Sequence, residues 1–400
     1  MDSNAFRTEE RTQLGLEVGR TLADRVSLHL SLASNAANGG TDDQAGQGST
    51  SSFVSLDRVR RRGADLRTDV RLAEASTLTL GMAAEQQDQR SQSQATYSFG
   101  PSNSLFAASR TNRAVYGQIL AGTWAGRLSF TLGGRVDDNE RFGTFATYRA
   151  AASAALGRGL QLRGSVGSAF REPTFFENYA TGFVKGNPNL EPERTRSIEV
   201  GLRQSLLDGR LTLAAAHFRQ RFANMIDYAG GGCTGGYSYC NVASAQANGQ
   251  EFEVDVRAGG GVQLGATLTH LDARVREAGF DTSSAGLYRD GQPLVRRPRT
   301  SATLDAAYDA PGRGRAMLLV HYVGRRQDRD YRGWPPAVVE LGDYARVDLG
   351  GELPLTSRGP GRPATALTLR VQNLFDREYQ SVFNFLSPRR TVLGGVRAEF

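Results

Sequence analysis

Four histidines, His29, His217, His270 and His321, and two cysteines, Cys233 and Cys240, are the side chains of this chain best suited to nucleophilic or metal chemistry. Each histidine falls on a separate stretch with no motif around it, so neither a catalytic constellation nor a zinc site is expected. The cysteines enclose Thr-Gly-Gly-Tyr-Ser-Tyr and have no other thiol to pair with. Two close cysteines in a Gly/Tyr loop fit a local disulfide made in an oxidising compartment. The chemistry on offer is therefore binding rather than catalysis, and no enzyme is expected.

The elements that would present such residues read as strands. Val26, Leu28, Leu30 and Leu32 alternate with polar neighbours, as do Leu128, Phe130, Leu132 and Val136, Leu160, Leu162 and Val166, and Val262, Leu264, Ala266 and Leu268. Each run is about ten residues, the length of a tilted strand that crosses a bilayer. Mean hydropathy is −0.40 and 39% of the 400 residues are hydrophobic, and no stretch approaches the roughly 18 apolar residues of a membrane helix. A membrane barrel escapes that test because its lipid-facing and lumen-facing residues alternate. The net charge of +7 comes almost wholly from arginine, with Lys185 the single lysine. These arginines are spread through every segment, and aromatic-rich RNA-reading signatures are absent, so nucleic acid is not an expected partner.

Connections sharpen the reading. Tight Gly/Asp/Pro turns fall near 21–25, 73–76, 125–127, 157–159, 207–210, 259–261 and 311–315. Between them lie longer Gly/Ser/Asn/Tyr-rich stretches near 37–53, 91–112, 173–194, 229–246, 276–297, 328–342 and 379–389. Alternation of short and long connections places turns on one rim and loops on the other, as in outer-membrane barrels. About 17 strands are expected on this count, an all-β, antiparallel, up-and-down transmembrane barrel. The chain ends on Val392, Gly394, Val396, Ala398 and Phe400 alternating with Leu393, Gly395, Arg397 and Glu399. A final strand closing on an aromatic residue suits outer-membrane barrels, where Val396, Ala398 and Phe400 would be read by the barrel assembly machinery. The amino terminus lacks a charged-then-apolar signal, and the strand count is odd, so the chain is expected to be the later part of a longer barrel.

Three segments then carry a family resemblance. Gly167–Leu202, GSAFREPTFFENYATGFVKGNPNLEPERTRSIEVGL, is similar to the mid-barrel signature of TonB-dependent outer-membrane receptors. Asn241–Val256, NVASAQANGQEFEVDV, looks like the strand entry that follows it, and Val371–Gln380, VQNLFDREYQ, resembles the segment before the last strand. Where the family has Pro-Gly-Arg ahead of that strand, this chain has Ser387-Pro388-Arg389-Arg390. In physical terms Asn187-Pro188-Asn189 and Glu191-Pro192-Glu193 order a loop as it enters a strand.

The resemblance implies one barrel domain over residues 1–400, part of a barrel of about 22 strands whose plug domain and energy-coupling segment are not in this sequence. It implies a place in the outer membrane of a Gram-negative bacterium and TonB-energised uptake of a large scarce nutrient, a ferric siderophore or cobalamin of the vitamin B12 class. Implied partners are outer-membrane lipid and lipopolysaccharide, the barrel assembly machinery, the ligand, and the TonB complex through the missing amino-terminal region. No cofactor is implied. Such ligands are large, partly apolar and often anionic, so aromatic and arginine side chains on the long loops are the expected contacts. Phe175, Phe176, Tyr179, Tyr237, Tyr239, Arg326, Tyr331 and Trp334 are the candidates, with Tyr308, Tyr322 and Phe218 expected in the wall or girdle. A plug-free diffusion porin is the alternative.

Overall fold

A computed structural model describes residues 5–45, 51–98, 100–123, 125–229, 233–242, 244–278, 289–333, 336–357, 359 and 362–399. Ten strands come first, interrupted by one short helix: β1 (Ala5–Ala23), β2 (Val26–Asp43), β3 (Ser52–Ala73), β4 (Ser76–Tyr97), β5 (Gly100–Thr123), β6 (Leu128–Asn139), β7 (Gly143–Gly157), β8 (Leu160–Arg171), α1 (Phe175–Tyr179), β9 (Glu193–Leu206) and β10 (Leu211–Ala223). Then follow β11 (Met225–Tyr228), β12 (Tyr239–Val242), β13 (Ser244–Ala258), β14 (Val262–Glu277), β15 (Thr300–Ala310), β16 (Gly314–Val323), β17 (Arg326–Asp330), β18 (Ala337–Leu341), β19 (Tyr344–Thr356), β20 (Ala364–Gln372) and β21 (Thr391–Glu399).

Seventeen of these form one antiparallel sheet in which each strand pairs with the next wall strand along the chain. The hairpins β11–β12 and β17–β18 stand apart as separate two-stranded sheets. Among the described residues β1 pairs only with β2, and β21 only with β20. Among the described residues no helix is long and apolar enough to cross a membrane.

Register carries the face of each side chain across the wall. Val18, Leu30, Leu66, Met82, Val115 and Val136 oppose one another in turn from β1 to β6. Leu213, Val254, Ala266, Leu304, Val320 and Val347 do the same from β10 to β19. Large apolar side chains left in water would each forfeit about 1.5–3 kcal/mol of burial, so this band meets lipid. The opposite face is polar: His29, Arg67, Gly81, Tyr116, Arg135 and Thr147 lie in one row. A Cβ at Gly81 would sit 2.2 Å from the Tyr116 ring. Glycine there lets Tyr116 lie flat along the wall and donate to Asp65 at 2.9 Å. Phe218 is also on this luminal face, against Gly249, whereas Tyr308 and Tyr322 project outward with the apolar band.

The structure lengthens the expected strands. β3, β4 and β5 have 22, 22 and 24 residues, so β5 is about 80 Å long at ~3.3 Å per residue. The stretch 91–112, read as a loop, is mostly paired ladder, with β4 ending at Tyr97 and β5 starting at Gly100. Beyond the lipid both faces of a strand meet water, so the apolar alternation fades while the backbone ladder continues. The rims also depart from strict alternation. Residues 140–142 make a three-residue turn on the loop rim, and 357–363 a longer connection on the turn rim. Asn224 and Asn373, with φ of 56° and 51°, end β10 at Ala223 and β20 at Gln372.

Candidate functional site

The loop rim gathers into two assemblies. In the first, the chain leaving β8 is locked by Arg171, which reaches Glu193 at 2.5 Å and Glu177 at 3.3 Å. Thr174 and Glu177 cap α1 reciprocally, at 2.6 and 3.1 Å, as a capping box does. Buried Asn178 donates to the Asn187 carbonyl at 2.9 Å. A Cβ on Gly186 would come within 2.5 Å of the Tyr179 amide nitrogen, so the loop closes over α1 only with glycine there.

The disulfide hairpin is stitched onto this loop. Cys233 and Cys240 are bonded, their Cα atoms 5.9 Å apart, and with Ala229, Met225 and Tyr237 they form a small apolar cluster. Lys185 and Ser238 exchange hydrogen bonds at 2.8 and 2.9 Å, and Asn187 donates to the Tyr239 carbonyl at 2.9 Å. Asn241 bridges the Glu191 carbonyl and amide at 2.8 and 2.7 Å. The Asn-Pro-Asn and Glu-Pro-Glu segments thus fasten one loop to another. From a third side the β4–β5 tip joins, with Ser102 accepting from Phe183 at 2.9 Å and Thr181 from Leu105 at 3.0 Å.

Aromatic rings line this first assembly. Phe106, Phe176, Tyr239 and Tyr228 contact in sequence, with centroids 6.3, 6.2 and 5.6 Å apart. Tyr97 and Phe183 form a further pair at 5.8 Å. Phe176 is 39% exposed, whereas Phe175 at 6% is buried, with Tyr179 stacked on it and the Arg110 guanidinium 4.6 Å from its centroid. Arg110 also pairs with Glu172 at 2.9 Å, and burial raises the Glu172 carboxyl against that opposing charge. Arg141 covers Tyr179 at 5.5 Å. Burial, then the charge of Glu177, pushes the Tyr239 phenol up to about 12, so it stays protonated at neutral pH.

The second assembly surrounds β17–β18. Asp328, fully buried, accepts from Arg296 at 2.9 Å, from the Arg329 amide at 2.8 Å and from the Phe383 amide at 2.7 Å. Arg326 is buried too, donating to the carbonyls of Gly324, Gly342 and Gln380 and covering Tyr344, which stacks on Tyr379 at 4.2 Å. Asn373 of the Asn-Leu-Phe-Asp segment is buried, its side chain donating to the Arg377 and Pro388 carbonyls at 2.9 and 3.3 Å. Tyr331 is exposed at the hairpin end. Asp227 lies between the assemblies: burial raises its carboxyl, opposed by the Tyr228 amide and the charges of Arg329 and Arg296.

Of the expected contacts, Phe175, Phe176, Tyr179, Tyr237 and Tyr239 come together, and Tyr331 belongs to the neighbouring assembly. Arg326 differs from its expectation, since its donors are spent on backbone carbonyls and Tyr344 covers it. Trp334 and Phe400 lie outside the described residues. Val396 and Ala398 project outward from β21 in line with Val392. Reasoning from sequence did not name Tyr97, Phe106 and Arg110, which the β4–β5 ladder carries against residues 173–183 through contacts more than 60 residues apart in the chain, and it missed the joint at Asp227. Among the described residues no cluster of His, Cys, Asp or Glu could hold a metal ion.

A lipid-facing strand wall, a polar inner face and an aromatic crown on one rim define an outer-membrane receptor barrel. Residues 2–374 match the family described as "TonB dependent receptor-like, beta-barrel", and the chain belongs to that family. Its place is therefore the outer membrane of a Gram-negative bacterium, and it is a receptor barrel rather than an enzyme. The chain is 29% identical over 247 residues to the vitamin B12 transporter BtuB of Vibrio vulnificus (strain YJ016), covering 62% of this chain and 35% of that protein. The ferripyoverdine receptor of the outer membrane of Pseudomonas aeruginosa shares its fold, with a TM-score of 0.73 at 16% identity over 98% of this chain and 56% of that one. So does the copper transporter OprC, at 0.75 and 17% over 98% and 65%. The siderophore receptor PiuA from Acinetobacter baumannii gives 0.74 and 15% over 100% and 65%. The chain thus spans about a third of the length of that curated relative and somewhat over half of these structures.

Proposed function

We propose that the receptor to which this barrel belongs takes up a large, scarce nutrient of the ferric siderophore or cobalamin class, energised through the TonB complex. The observation that carries this reading is the ring chain Phe106–Phe176–Tyr239–Tyr228, held on the outer rim by three loops tied to one another. A rigid aromatic surface suits a large, partly apolar ligand, since ordering it on binding costs little. Arg141, exposed over Tyr179, favours an anionic ligand surface nearby, whereas the mostly buried Arg110 side chain is spent on Glu172, Gln87 and the Pro173 carbonyl. Phe175 serves as the floor beneath Arg110, while Phe176, Tyr239 and Tyr331 offer faces to the ligand.

The test uses the receptor purified from outer membranes, titrated with ferric hydroxamate and catecholate siderophores and with cyanocobalamin. Uptake of whichever probe binds is then followed in energised and uncoupler-treated cells. One probe should bind saturably and its uptake should collapse with the uncoupler. Absence of saturable binding, together with high steady conductance in planar bilayers, would mean a diffusion porin instead.

A further inference from the structure

Arg58, Arg60 and Arg62 occupy alternate positions of β3 and so share one face, spread over about 13 Å. That face is the outer one, because Ala64 and Leu66 continue it downward into the apolar band. On β4, Arg90 stands directly opposite Arg58, Asp88 opposite Arg60 and Gln86 opposite Arg62. All six line one concave patch with Ala107 and Ser109 of β5. Like charges directly opposed across a ladder destabilise it. Among the described residues Arg58 bonds to Asn38, at 3.1 Å, and Glu10, opposite Asn38 on the same face, makes no ion pair with Arg58. Asp88 lies beyond the ion-pair limit of 4.0 Å from every guanidinium of the patch. Arg61, one residue away on the luminal face, does find a carboxylate, Glu85 at 2.6 Å.

Immediately below, on the same outer face, an apolar groove is lined by Leu30, Leu66, Met82, Val115 and Val136, with Arg113 and, opposite it across the ladder, Asp138 at its upper edge. A row of unneutralised guanidiniums above a groove of aliphatic side chains complements one kind of molecule: acyl chains below, phosphates above. The loop rim is the extracellular one in a barrel of this family, so that height corresponds to the outer leaflet.

We infer that the outer face of β3–β5 is a binding site for a phosphate-bearing lipid of the outer leaflet, its phosphates held by Arg58, Arg60, Arg62 and Arg90 and its acyl chains by the groove beneath. The site is separate from the aromatic crown and stands whether or not the uptake reading does. Arginine forks hold phosphate bidentately, and occupation relieves the repulsion between Arg58 and Arg90.

The receptor is purified from outer membranes, delipidated, and exposed in detergent to bisphosphorylated lipid A or its dephosphorylated counterpart with the same acyl chains, with retained lipid read by native mass spectrometry. The wild type should retain the phosphorylated form at least tenfold better. Arg58→Gln/Arg60→Gln/Arg62→Gln should abolish that preference, the corresponding triple change to lysine should keep most of it, and Arg61→Gln should leave it intact. Heat-modifiable migration on gels verifies that each barrel is folded. Equal retention of both lipids, or equal loss on Arg61→Gln, overturns the site. Displacement of the lipid by millimolar inorganic phosphate also overturns it, by showing a site for free phosphate.

Discussion

The two assemblies on the outer rim are built from the same materials, loops fastened by side-chain amides and carboxylates, yet they finish differently. Around α1 and the disulfide hairpin the fastening lies beneath, and rings such as Phe176 remain open to the outside. Around β17–β18 the charged groups are the fastening. Asp328 takes up three donors and Arg326 three carbonyls, leaving little for a ligand. The residue type on a loop therefore says little until its hydrogen bonds are counted. Arginine, suited by its chemistry to an anionic ligand, is here a brace in both assemblies, at Arg326 and at Arg110, while Arg141 over Tyr179 stays exposed.

The contrast is broken most severely at Asp328. Asp328→Ala strands the Arg329 and Phe383 amides, while Arg296, 40% exposed, can turn to water. Two buried donors left unpaired cost about 3 kcal/mol, and the effect should stay local. Amide exchange across 326–341 and 379–389 should accelerate at least a hundredfold while the crown around α1 stays protected. Equal loosening of both regions would show that they are one unit. The disulfide is next. It spans seven residues, for which chain entropy gives about 2 kcal/mol, so Cys233→Ser/Cys240→Ser should open the β11–β12 hairpin to proteolysis without disturbing β17–β18.

How much of this was legible in sequence follows from the range of each interaction. Alternation reports which face of a strand meets lipid, so all 17 wall strands could be located, including Leu160–Val166 and Val262–Leu268. Where strands rise above the lipid, as in 91–112, both faces are polar and that signal vanishes although pairing continues. The crown depends on contacts that spacing does not encode. Arg110 reaches the Pro173 carbonyl across 63 residues and Asp328 the Phe383 amide across 55. Tyr239 and Phe176 could be nominated from composition, but their meeting edge to face could not. Arg326 was nominated on the same grounds, and only its burial reveals a different use.

Ligand affinity sharpens the comparison at smaller amplitude. Phe176→Ala removes an exposed ring from the middle of the chain, and a ring contact is worth about 1–1.5 kcal/mol beyond its area. Binding of whichever siderophore or cobalamin the receptor takes should weaken about tenfold, with amide exchange in the crown little changed. Arg326→Lys should act the other way round, loosening its own loops before it alters affinity. A direct loss of affinity from Arg326→Lys with exchange unchanged would return that residue to the binding surface.

The smallest effect is confined to alkaline pH and concerns Tyr239. Its phenol is pushed from the usual 10 up to about 12, so the folded crown holds that proton more tightly than the unfolded loop does. The stabilisation is therefore complete below about pH 10 and is lost as pH rises toward 12. Because Tyr239 is only half-buried, water screens part of the effect. Proteolytic nicking of 225–242 should rise across this window in the wild type and rise less in Tyr239→Phe, which keeps the ring between Phe176 and Tyr228 but has nothing to ionise. Tyr331 in the β17–β18 assembly is raised by burial as well, so the test is read at 225–242, where Tyr239→Phe leaves Tyr331 untouched. If Tyr239→Phe follows the wild-type profile, another group opens the crown, and the aromatic surface owes its closure to the backbone stitches at Lys185, Asn187 and Asn241 alone.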